Sequence, residues 1–234
     1  MCEKYYWISP YAYCAGNPVN RIDPDGQDIT ISYIDKDNKE QKWVFNGKNG
    51  ENAPKNDFVN SFIGAYNYNL ENGGGEKMKE AATNSELNIP LQQGDETVFY
   101  HNTEKGTYGI DWNPKDGIKT DEGYKMSPAT ALDHEFDHAT SYVDNPTAYD
   151  KRANTPDKQY DNKEERRVIT GSEVRTARAN YEYPQGYVRK NHSGGSFITV
   201  PNPTSNGDRL PGIYRWINRH AKQNGNNTIY KRMR

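Results

Sequence analysis

The chain has 234 residues, and its 30 lysines and arginines against 32 aspartates and glutamates give a net charge of −2, which argues against a general nucleic-acid binder. Only 32% of the residues are hydrophobic, but 18 tyrosines, 6 phenylalanines and 4 tryptophans supply core material that a disordered chain lacks. With Cys2 and Cys14 as the only cysteines there is no disulfide framework. We expect neither a membrane span nor a signal peptide.

The first 26 residues are dense in turn-forming pairs, among them Asn17-Pro18 and the run Asp23–Gly26. Together with Pro10–Tyr13, they resemble the end of the Rhs/YD-repeat-associated core. In that family a variable toxin domain follows the core. The resemblance implies a core remnant or linker at 1–26 and a toxin domain at 27–234.

Alternating and helical patterns predict the elements of the second part. A strand pair is expected as a hairpin, because a turn-rich segment separates two short alternating runs. Two helices and a second pair of strands should follow. The predicted elements are Asp28–Ile34, Gln41–Phe45, a helix from Asp57 with Phe58, Phe62, Ala65 and Tyr66 on one face, Glu76–Ala82, Glu96–Tyr100 and Thr107–Trp112.

A motif typical of metal sites follows, His134-Glu135-x-x-His138. Ser127-Pro128 upstream predicts a helix start, and residues four apart share a helix face, so both imidazoles can bind one ion. Glu135 is then placed to take a proton from a metal-bound water. This is the arrangement of a zinc peptidase. The alternative is an amphipathic helix whose histidines only cap or pack.

A catalytic zinc needs a third protein ligand, and no third histidine follows within about ten residues, which excludes the metzincin pattern. A polar loop is expected at 144–161 and a helix from about Asn162. Its Lys163–Gly171 stretch is similar to a Glu-Glu-x-Arg run of clostridial neurotoxin light chains and of bacterial effector zinc metallopeptidases. The resemblance implies that Glu164 is the zinc ligand and Glu165 its supporting neighbour, with Glu173 in reserve.

The same families place Arg-x-x-Tyr further on, facing the oxyanion of the reaction. This chain has Arg189-Lys190-Asn191-His192, so the resemblance implies that Arg189 and His192 are catalytic, although a histidine replaces the tyrosine. Tyr187 is a nearby substitute. A surface loop with an uninvolved arginine and histidine is the alternative.

Taken together, these patterns predict an α+β fold, zincin-like and of the gluzincin type, with a small mixed sheet over the active-site helix. The expected function is a Zn²⁺-dependent endopeptidase. The resemblance to Rhs cores implies that it acts as the C-terminal toxin of an Rhs-type protein that is secreted or delivered into a target cell. Its substrate would be a protein segment bound as an extended strand along Thr107–Trp112. A cognate immunity protein is a possible partner.

Two other functions stay open. One is a metal-dependent nuclease, since basic residues follow Asp208 without any acidic residue among them. The other is an inactive binding module that keeps the helix for stability. A zinc deaminase is excluded, because no cysteine follows Cys14.

Overall fold

The computed structural model describes residues 27–84, 86–102 and 105–205. The Rhs-like segment at 1–26 and the basic residues after Asp208 lie outside these ranges. Within them, helices combine with a mixed sheet, so the predicted α+β class is confirmed. No helix of the described part is both long and apolar enough to cross a membrane.

The strands of the described part form sheets of five, three and two strands. In chain order they are β1 Gln27–Ile34, β2 Glu40–Phe45, β3 Leu87–Gln93, β4 Val98–Asn102, β5 Thr107–Trp112, β6 Asp116–Lys119, β7 Lys125–Met126, β8 Pro156–Asp157, β9 Asp161–Asn162 and β10 Ser196–Thr199. The predicted hairpin is confirmed as β1 and β2, which pair antiparallel.

The helices of the same ranges are α1 Asp57–Asn72, α2 Glu76–Thr83, α3 Pro128–Asp144, α4 Pro146–Ala153, α5 Lys163–Val168 and α6 Val174–Ala179. A 3-10 turn covers Gly50–Asn52, and a π-helical segment, Ile169–Glu173, joins α5 to α6. The α4 helix corrects the predicted polar loop at 144–161. Asn145 caps it and Pro146 occupies its first turn, so the Asn-Pro pair starts a helix here.

The five-stranded sheet has the order β2-β1-β3-β5-β4, with β1, β3 and β5 parallel and the two outer strands antiparallel to their neighbours. Strand β3 was not among the predicted elements; Pro90 lies within it, and proline is unusual in a central strand. Because β3 pairs with β5, Thr107–Trp112 is internal. The prediction that it forms the free edge is wrong, and the edge strand beside α3 is β4.

Helix α3 begins as predicted, with the Ser127 side chain accepting the Thr130 amide and Pro128 in the first turn. It packs against α1, α2 and the large sheet, and its apolar side chains, such as Leu132 and Phe136, are fully buried in the core. All four predicted face residues of α1 are buried in the same core. The apolar side of α3 is thus fixed by its packing against α1, α2 and the large sheet.

Two aspartates fix α3 against other helices. Asp133 accepts hydrogen bonds from the first amides of α2 and from the Thr176 hydroxyl. Asp137 accepts from Arg167 at 2.7 Å and from the Ser172 hydroxyl. Burying a carboxylate is costly unless it is paired, so these bonds specify how the α5–α6 region sits on α3.

An unpaired carboxyl group lies near the start of α3. Glu182, in the turn after α6, is 5% exposed, and neither side-chain oxygen has a hydrogen-bond partner of standard geometry among the described residues. Burial raises the pKa of this carboxyl to about 8, although the neighbouring Ser127 and Thr130 act in the opposite direction. Glu182 is therefore mostly neutral near pH 7.

Glu182→Gln should remove a pH dependence of stability. The unfolded chain releases this proton near pH 4.5 and the folded chain near pH 8, so the wild type loses on the order of 5 kcal/mol of unfolding free energy between these values. The contribution is fully present below the first value and lost as the pH rises through the second. Urea unfolding of both metal-free proteins across this range measures it. A difference that stays constant with pH would mean that Glu182 is ionised in the folded protein.

Candidate metal centre

Two imidazoles of α3 and one carboxylate of α5 converge on a common point. The Nε2 atoms of His134 and His138 lie 3.0 Å apart. Glu165 presents one oxygen to each, at 3.3 Å from His134 and 3.2 Å from His138. Ligand atoms about 2.0 to 2.1 Å from a tetrahedral ion are about 3.3 Å from one another, so the three side chains could hold one metal ion.

The start of α5 places the glutamate. Asn162 caps this helix and accepts the amides of Glu164 and Glu165, each at 2.9 Å, which fixes both glutamates in the first turn. Adjacent helical residues point about 100° apart, so only one of them can face both histidine Nε2 atoms. That residue is Glu165.

Glu164 is not positioned as the ligand, which corrects the prediction. Its nearest approach to the centre is 3.4 Å from Nδ1 of His138, on the far side of that ring. Its oxygens accept bonds from Arg152 at 2.5 Å and Arg167 at 2.6 Å. Burial would raise the pKa of Glu164, but His138 and the two arginines outweigh it and lower the pKa to about 2. Glu164 and Glu165 thus exchange their expected roles.

The reserve candidate Glu173 supports a ligand. Its carboxylate lies 2.8 Å from Nδ1 of His134 and is itself bound by Arg189, at 2.5 and 3.1 Å. A carboxylate at Nδ1 keeps the proton there and leaves the Nε2 lone pair free for an ion. Arg189 is 4% exposed and committed to this pair, so it orients His134 through Glu173. Arg189 also lines the cleft beside His134 and Glu135, so its predicted role at the oxyanion stays a prediction.

His192 does reach the edge of the centre. Its Nδ1 lies 2.7 Å from Asp161, and its Nε2 lies 3.4 Å from Glu165. Asp161 also accepts the Ser193 hydroxyl at 2.6 Å and has a left-handed backbone, φ 67°. Sequence reasoning missed Asp161, and only its position beside the α5 cap could have suggested it. Tyr187, the predicted substitute, instead donates to Glu122.

Glu135 lies between the centre and the edge strand. It accepts the backbone amide of Phe99, in β4, at 2.7 Å. Together with His134, Asp161 and His192 it lines a cavity of about 300 Å³. An open cleft therefore reaches Glu135 and His134, one of the three metal-binding side chains, as substrate access requires.

The charges of the cluster favour a cation. Burial would lower the pKa of His134, but Glu165 and Glu173 raise it to about 10, and Glu165 and Glu164 likewise raise the pKa of His138 to about 9. Oε2 of Glu165 is buried without a hydrogen-bond partner among the described residues. The buried carboxylates therefore favour positive charge at this point, and a metal ion could supply that charge in place of the imidazole protons.

Comparisons with known proteins found no matching family model, no matching curated protein and no matching solved structure. The resemblances to Rhs cores, neurotoxin light chains and effector peptidases therefore stay predictions. The functional argument rests on the site itself.

Proposed function

We propose that the protein is a zinc-dependent endopeptidase. The observation that carries the proposal is a single arrangement: Glu135, bound to the edge-strand amide of Phe99, stands in an open cleft beside His134, His138 and Glu165. A metal centre, a carboxylate base and a strand edge are what peptide hydrolysis in an extended substrate needs.

Zinc suits the donor set. Two imidazole nitrogens and one carboxylate are ligands that zinc accepts readily, whereas Mg²⁺ and Ca²⁺ prefer oxygen ligands alone. Three protein ligands also leave the fourth position of a tetrahedral site open, which distinguishes a catalytic site from a structural one. Bound there, zinc would lower the pKa of a coordinated water toward neutrality and polarise the scissile carbonyl.

The remaining steps belong to the protein. Glu135 accepts the proton of the attacking water and passes it to the leaving amine, while the Phe99 amide holds its carboxylate in place. His192, oriented by Asp161, donates a hydrogen bond to the developing oxyanion. Thr97, just before β4, also lines the cleft, so an extended substrate in the cleft would pass the start of this edge strand.

The biological setting follows from the resemblance at 1–26. The domain would be the C-terminal toxin of an Rhs-type protein, secreted or delivered into a target cell, where it cleaves a protein. An immunity protein would protect the producing cell from the toxin. A nuclease is disfavoured because the cleft contains Asp116, Glu135 and Asp161, while the charge of Arg189 is offset by Glu173.

Zinc reconstitution tests the proposal. The chelated protein, reloaded with zinc, should bind one ion per chain and generate new N-termini in an unfolded protein mixture, detected by mass spectrometry. A chelator should stop the cleavage and added zinc restore it. If the protein does not bind zinc, the zinc-peptidase hypothesis is refuted. If it binds zinc but produces no new N-termini, the hypothesis of an inactive binding module is favoured.

A further inference from the structure

The cavity beside Glu135 has an apolar wall built by the three-stranded sheet. Its order is β10-β6-β7, and Phe197, Ile118 and Met126 are direct partners across the three strands. Directly paired residues point to the same face of a sheet, so these side chains form one row, and all three line the cavity. Ala131, on α3, lines it as well.

One carboxylate shares that face. Asp116 precedes Ile118 by two residues in β6, and residues two apart in a strand point the same way. It is half-buried and also lines the cavity. The sheet therefore presents an apolar row with an acidic group beside it.

The charge of Asp116 has no cationic partner within the described residues. Burial raises the pKa of Asp116, and the negative charge of Glu96 raises it further. A hydrogen bond from the Asn113 side chain acts in the opposite direction but does not cancel the rise. Among the other charged groups of the lining, Arg189 binds Glu173 and His192 binds Asp161, while Glu135, the proposed base, accepts the Phe99 amide. A ligand cation is the group that the cavity lacks.

We infer that this cavity binds a lysine or arginine side chain of the substrate, with the aliphatic stem on the row Phe197–Ile118–Met126 and the cationic end at Asp116. Long basic side chains have this dual character, an apolar stem and a charged tip. The inference rests on the proposed peptidase function, and it makes Asp116 the residue that selects the substrate.

A pair of peptides isolates the charge. Two otherwise identical blocked peptides carry lysine or norleucine at one central position, so that their stems match and only the ammonium group differs. Binding is measured calorimetrically with zinc-loaded Glu135→Gln protein, in which turnover is strongly slowed. The lysine peptide should bind about tenfold more tightly, as expected for one hydrogen bond to a charged group.

Asp116→Asn, added to the same protein, should erase the difference between the two peptides. Asp95→Asn is the matched control, because it removes the same charge from an exposed neighbour that does not line the cavity, and the difference should persist. Equal affinities, no measurable binding, or a preference that survives Asp116→Asn would overturn the inference.

The wild-type protein separates this inference from the proposed function. New termini beside lysine or arginine support both. A lysine preference in binding without any cleavage would leave the basic-side-chain site standing and refute the peptidase. Cleavage without regard to basic residues would keep the peptidase and refute the role of Asp116.

Discussion

Glu135→Gln should leave zinc content and folding close to the wild type while peptide hydrolysis falls by about 10²- to 10⁴-fold, or roughly 3 to 5 kcal/mol of barrier. The amide cannot take a proton. Its carbonyl oxygen can still accept the Phe99 amide, so the edge strand keeps its position. Zinc content, melting temperature and cleavage rate are measured on one preparation, and toxicity in a sensitive cell should fall with the rate.

Glu40→Gln is a suitable control, since Glu40 is exposed in β2, at the opposite end of the large sheet from β4. It should change none of these quantities. If a zinc-loaded Glu135→Gln protein stayed fully active, a carboxylate base would not be part of the chemistry. The nuclease and binding hypotheses would then return.

The second large effect concerns the third ligand. Glu165→Gln should weaken zinc binding by more than about 100-fold, because a neutral amide is a poor substitute for a carboxylate ligand. Glu164→Gln should weaken it less, within the roughly 10- to 100-fold range for residues that only orient a ligand. Competition with a chelator of known affinity measures both variants.

Folding stability without metal provides the contrast between the two glutamates. Glu164 is bonded to Arg152 and Arg167, so Glu164→Gln weakens two ion pairs and should lower the melting temperature of the chelated protein. Glu165→Gln removes a negative charge whose close partners, within the described residues, are His134, His138 and His192, and its main loss should appear on zinc addition. The reverse order of zinc loss would restore Glu164 as the ligand.

Much of α3 was predictable from local sequence. The Ser127-Pro128 cap and the four-residue spacing of His134 and His138 depend on helix geometry alone. The choice between Glu164 and Glu165 depends instead on which way the first turn of α5 faces α3. That orientation is set by tertiary packing, including the bond of Arg167 to Asp137, and the sequence pattern does not contain it.

The errors elsewhere have the same kind of cause. Thr107–Trp112 was expected at an edge, but β3, a strand absent from the predicted elements, pairs with it. The family motif also gave no sign that Arg189 pairs with Glu173, which is buried sixteen residues earlier and needs a counter-charge. The local motifs therefore did not determine which charged residues and which strands pair over long distances in the sequence.

The π-helical segment Ile169–Glu173, between α5 and α6, changes the direction in which the side chains that follow it point relative to those that precede it. Eight residues separate Glu165 from Glu173, and a regular α-helix would rotate the second side chain about 80° away from the first. A π turn takes up about one additional residue, so the separation has the phase of seven residues, or two full turns. The carboxylates of Glu165 and Glu173 consequently lie on the same side of the helix, the side that faces α3. A sequence pattern for centres of this kind should thus accept spacings of seven or eight residues between these glutamates.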